Sequence, residues 1–136
     1  MQDSSKIYII PNQLTVAEKS NNLAVVFKNY DDEQMNRNSL DMLKKLIEGG
    51  LKLNFLETLV VQLRGREVVK LPDNIKNVFL FGIVPKKISL NINPIRNKML
   101  SIIDKSIIYT DETSIMLNNA DKKKAFWTEV TKIYNV

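Results

Sequence analysis

Apolar positions along this chain fall into short blocks separated by polar turns. The most apolar block is Asn77-Val78-Phe79-Leu80-Phe81-Gly82-Ile83-Val84-Pro85, a branched and aromatic run broken by a glycine and closed by a proline. Such a run predicts a strand buried on both faces, as at the centre of a parallel sheet. In open α/β sheets ligands sit at the carboxyl ends of the strands, so residues 82–87 mark where to search; they hold no nucleophile, acid or histidine.

Two further blocks, Leu23-Ala24-Val25-Val26-Phe27 and Thr58-Leu59-Val60-Val61-Gln62-Leu63, predict strands. Between them, after the turn residues Asn29-Tyr30-Asp31-Asp32, the spacing of Leu40, Leu43, Leu46 and Ile47 predicts a helix over 34–48 with one buried stripe. Gly49-Gly50 is expected to stop it in a left-handed turn, and Asp41 and Lys45 to pair one turn apart on its wet side. Leu71-Pro72-Asp73-Asn74-Ile75 leads into the central strand. Strand, helix, strand, short crossover, strand is the order that right-handed connections turn into a parallel sheet.

Residues 86–94 read as irregular, and 98–109 as a tight hairpin about Asp104-Lys105 whose second arm joins the sheet. Thr110-Asp111 is expected to cap a short helix over 112–117 that buries Ile115 and Met116. A last helix over 120–134 carries Phe126, Val130, Ile133 and Tyr134 on one stripe. Trp127, about 100° round from Phe126, falls at the edge of that stripe, with its indole N–H expected on a carbonyl.

The chain has 136 residues, the size of one domain, and divides into an N-terminal arm, 1–20, and an α/β domain, 21–136. On the arm, Lys6-Ile7-Tyr8-Ile9-Ile10-Pro11 is an isolated apolar patch that either adds an edge to the domain or orders on another protein. No apolar run approaches the roughly 18 residues of a membrane span, and the first residues lack the order of a signal peptide, so the expected location is the cytoplasm, without membrane contact.

Absence of Cys and His removes thiol chemistry, the commonest general base and the commonest transition-metal ligand. Glycine-rich phosphate loops are also missing, so no cofactor or metal is expected. Asp31-Asp32-Glu33 and Asp111-Glu112 sit at element boundaries, where turns and caps account for them. Arg64-Gly65-Arg66 has the residues to grip a phosphate or carboxylate.

The net charge of +5 lies wholly in the second half: residues 69–136 hold eleven Lys/Arg and six Asp/Glu, against nine and nine before them. Lys86, Lys87, Lys98, Lys122, Lys123 and Lys124 are the candidates for contact with nucleic acid or an acidic partner. The last three stand in the first turns of a helix, where its dipole disfavours cations.

Two pieces together, Val78-Phe79-Leu80-Phe81-Gly82 with Pro85, and Ser106-Ile107-Ile108-Tyr109-Thr110-Asp111 followed by Lys122-Lys123-Lys124-Ala125-Phe126-Trp127, resemble the psi subunit of bacterial DNA polymerase III and related proteins. The resemblance runs in element order over residues 23–134. It implies the uracil-DNA-glycosylase fold without its catalysis, a three-layer α/β/α sandwich with a mostly parallel four-stranded sheet. It also implies a non-catalytic accessory protein of DNA replication that binds the clamp loader through an N-terminal peptide, here Ile7, Tyr8, Ile9 and Leu14. The loops where that fold keeps its water-activating acid and its His correspond to 29–33 and 110–114; the second has no His and the first lacks the acid-Pro-aromatic sequence. The alternatives are a divergent uracil-DNA glycosylase in which Asp31 or Asp32 orients water, and a basic nucleic-acid-binding domain.

Overall fold

In the computed structural model, which describes Tyr8–Ile10, Gln13–Thr15 and residues 21–134, five of the apolar blocks line up in one sheet. Its strands are β3 (Leu23–Lys28), β4 (Leu59–Leu63), β6 (Asn77–Phe81), β7 (Met99–Ile102) and β8 (Lys105–Thr110), in the order β4-β3-β6-β8-β7. The first four of that row are parallel, and β7 runs antiparallel to β8 at the edge. β6, the run singled out by its composition, is the central strand. The sheet has five strands rather than four because the first arm of the hairpin also hydrogen-bonds into it: Met99 pairs with Ile108 and Ile102 with Lys105.

A second, three-stranded sheet contains β1 (Tyr8–Ile10), β2 (Gln13–Thr15) and β5 (Val68–Lys70). β2 runs parallel to β5, so the arm adds strands to the domain, and β1 is the outer strand. The backbone of Tyr8, Ile9 and Leu14 belongs to this ladder; Ile7 lies outside the described residues.

Alternation along each strand sorts the core into two layers. Leu23, Val25, Phe27, Phe79, Phe81 and Ile108 face one side, where α1 (Glu33–Lys44), the turn that continues it and α3 (Ala120–Ile133) cover them with Leu43, Ile47, Phe126 and Val130. Ala24, Val26, Val78, Leu80 and Ile107 face the other, covered by Val69 of β5, Ile75 of the loop after it, Ile83 of the link after β6 and Ile88 of a 3-10 turn at Pro85–Ile88. The connections β3 to β4 and β4 to β6 therefore pass over opposite faces, as right-handed crossovers in opposite directions must. The switch point falls between β3 and β6. Phe126 fixes α3 over the centre of the sheet: its ring meets Phe79 edge-on at 5.3 Å and Phe81 at 5.1 Å.

Several local expectations change. α1 buries Asn36, Ser39 and Leu43, while Leu40 is exposed. Gly49 and Gly50 make no left-handed turn; the helix runs into a π-helical turn, Lys45–Gly50, closed by Leu51 N–H on Leu46 O, and the left-handed residue is Lys52. No ion pair joins Asp41 to Lys45 among the described residues. The short helix α2 (Thr113–Met116) buries Met116 but exposes Ile115, and Glu112, not Thr110 or Asp111, holds its N-cap position, without a side-chain bond.

Candidate functional site

The carboxyl end of the sheet is the first place to look, because the switch point and the loops 29–33 and 110–114 meet there. Asn36 docks the first loop, accepting from Tyr30 N–H at 2.7 Å and donating to Tyr30 O at 2.9 Å. Tyr30 then reaches the second loop: its hydroxyl accepts from Ser114 N–H at 3.1 Å and lies 3.2 Å from Thr113 Oγ1. Thr113 in turn is bonded to buried Ser39 at 2.6 Å. Gly82, at φ 69°, lets β6 end beneath this loop, since a Cβ there would stand 2.6 Å from Glu112 Cβ.

Asp111, Glu112 and Asp32 at this end are likewise engaged. Asp111, 4% exposed, takes Arg96 Nη1 at 3.4 Å and Lys122 Nζ at 3.2 Å on its two oxygens. Glu112 accepts from Ser114 Oγ at 2.6 Å and has Lys28 Nζ at 3.9 Å. Asp32 caps α1 by accepting from Gln34 N–H at 2.9 Å, and Asp31 is exposed beside it. At the crevice expected from topology, Tyr30, Asn36, Ser39, Thr113, Asp111 and Glu112 are thus bonded to one another or to nearby cations, while Asp31 stands exposed.

An open cleft lies elsewhere, on the helical face between α1 with its π-helical turn and α3. Phe81, Met116 and Phe126 form its floor, Met42, Leu46, Gly50 and Trp127 its walls, and Lys45 and Lys123 its polar edge, around a cavity of about 420 Å³. The Cη2–Cζ3 edge of the Trp127 indole abuts Gly50, where a Cβ would come within 2.8 Å of Cη2, so the absence of a side chain permits this approach. Trp127 is half-buried against the core as periodicity predicts, but its indole N–H has no carbonyl partner among the described residues; the ring is a wall of the cleft. The Lys45 and Lys123 side chains are exposed and make no ion pair or hydrogen bond among the described residues.

The six candidate lysines do not converge. Lys86 and Lys87 belong to the 3-10 turn on one face of the sheet, Lys122, Lys123 and Lys124 to α3 on the other, and Lys98 precedes the edge strand β7. Lys87 donates to Gly65 O at 2.8 Å and Lys122 is held by Asp111. Arg64-Gly65-Arg66 does not cradle an external anion with its amides: the N–H groups of Arg64 and Gly65 both donate to Glu67 Oε1, at 3.1 and 2.7 Å. Burial works against ionisation of Glu67, but these amide bonds and the charge of Lys87 outweigh it and hold the carboxyl below its ordinary range.

Sequence reasoning missed Glu129. It is 7% exposed, accepts from Met99 N–H at 2.6 Å and pairs with Lys132 at 2.7 Å, tying α3 to the edge strand. Burial opposes its ionisation, yet Lys132 and the Met99 amide prevail and depress its pKa. Ser39 and Thr113 were also unflagged, since a small hydroxyl on a helix gives no signal until its partner is known. No protein-family model, curated protein or solved structure matches this chain.

Proposed function

We propose that this chain is a non-catalytic binding domain, an accessory protein of DNA replication of the psi kind that works through contacts with the clamp loader. The observation that carries the non-catalytic reading is the side-chain network that binds Asp111, Glu112, Tyr30 and Thr113 at the carboxyl end of the sheet. A general base or nucleophile needs to reach a substrate proton or reacting atom, whereas Asp111, Glu112, Tyr30 and Thr113 are all committed to one another or to nearby cations. Contact with a protein partner is supported by β1, the outer strand of its sheet among the described residues, a position that suits addition of a partner strand. The assignment to replication rests on the resemblance in β6, β8 and the lysine-rich start of α3. The finer fold reading, a uracil-DNA-glycosylase-like three-layer sandwich, is supported by the same resemblance and by cover on both faces of the parallel strands.

The test is retention of the clamp-loader complex from the same source by immobilised full-length protein at low salt. Retention that falls when Tyr8 and Ile9 are both changed to Asp is the expected result; no retention at low salt overturns the replication assignment.

A further inference from the structure

We propose that the cleft between α1 and α3 is a binding site for a small amphipathic anion, an aliphatic or aromatic body bearing one carboxylate. This goes beyond the accessory role and does not depend on it. The cavity of about 420 Å³ lies within the range of small-ligand sites. Its side-chain lining is Met, Leu, Phe and Trp apart from the two lysines, so a sugar or nucleoside placed there would lose its hydration without side-chain partners for its hydroxyls. The body of the occupant is therefore apolar.

The head group follows from charge. Lys45 from the π-helical turn and Lys123 from α3 stand on opposite sides of the cleft, and no carboxylate lines it. Asp41 shares the adjoining smaller hollow with both lysines but makes no ion pair with either, so of these three charges one positive charge stays uncompensated there. Two ammonium groups engaged in no ion pair, with one net positive charge beside Asp41, match one anionic head at the edge of an apolar cavity with its chain pointing inward. Met42 and Met116 give walls that adjust to an unbranched chain. The π-helical turn adds a residue between Leu46 and Leu51 and brings Gly50 against the edge of the indole, which shapes this side of the cavity.

Trp127 is the only Trp in the chain and lines the cleft, so its fluorescence reports occupancy directly. The experiment titrates full-length protein with sodium dodecanoate below its micelle concentration, beside dodecyltrimethylammonium and butyrate. Saturable change with dodecanoate, at least about tenfold weaker binding of the cation of equal chain length, and weaker binding of butyrate are expected. Lys45→Gln with Lys123→Gln, both at exposed positions, should weaken dodecanoate about tenfold, while Lys44→Gln with Lys124→Gln leaves it unchanged. Met42→Glu, which puts an acid in the wall, should abolish binding with the circular dichroism spectrum retained. Equal affinity for anion and cation, indifference to the Lys45 and Lys123 changes, or no saturable response overturns the proposal. So does a response confined to an acidic peptide carrying a single Phe, which would make the cleft a partner-docking surface.

Discussion

Individual residues carry the tightest constraints. Ile103 at the tip of the β7–β8 hairpin has φ 54° and is 94% exposed, so a β-branched side chain sits in the left-handed region with no burial to offset the strain. Ile103→Gly should raise stability by about 1 kcal/mol, read as a shift in the denaturation midpoint at constant slope. Gly82→Ala should act in the opposite sense. Its Cβ would press within 2.6 Å of Glu112 Cβ from a left-handed backbone, and a loss of roughly 2 kcal/mol or more is expected in the same measurement. Tyr30→Phe removes the hydroxyl that joins the two carboxyl-end loops and should cost about 1 kcal/mol.

At the scale of elements, Glu129 makes the junction of α3 with β7 pH-dependent. Its folded pKa lies below the ordinary value of 4.5, so the stabilisation it gives is complete above that value and is lost as the pH falls through the folded pKa. Glu129→Gln should therefore flatten the loss of stability on the acid side, measured by denaturation at a series of pH values below neutrality. Trp127→Ala should cost about 2 kcal/mol, less than a fully buried aromatic, because one side of the indole faces the cleft. The strands were the legible elements: β3 and β6 are buried on both faces and so appear as unbroken apolar runs. β5 was not, since three residues are too short for periodicity to register. The inner face of α1 departs from the apolar spacing at Leu40 because Asn36 and Ser39 are buried on polar partners, Tyr30 of the preceding loop and Thr113 of α2, which helical spacing does not encode. The cleft depends on the π-helical turn and on the approach of Trp127 to Gly50, both products of tertiary packing.

For the whole molecule, parallel strands covered on opposite faces bring the loops 29–33 and 110–114 together at the switch point. In this chain that convergence is used for internal bonding, and the open cavity is displaced to the helical face. Among the described residues no helix is long and apolar enough to cross a membrane. The basic lysines are split between the two faces, which argues against a single nucleic-acid track; binding to a mixed-sequence oligonucleotide should be weak and should involve few phosphates, seen as a shallow dependence of log affinity on log salt. The central claim, that the carboxyl end of the sheet is a structural network and not an active site, is tested most directly by incubating the protein with uracil-containing single- and double-stranded DNA and measuring released base. The account predicts no release above the protein-free control; release that disappears in Asp31→Asn or Asp32→Asn would contradict it.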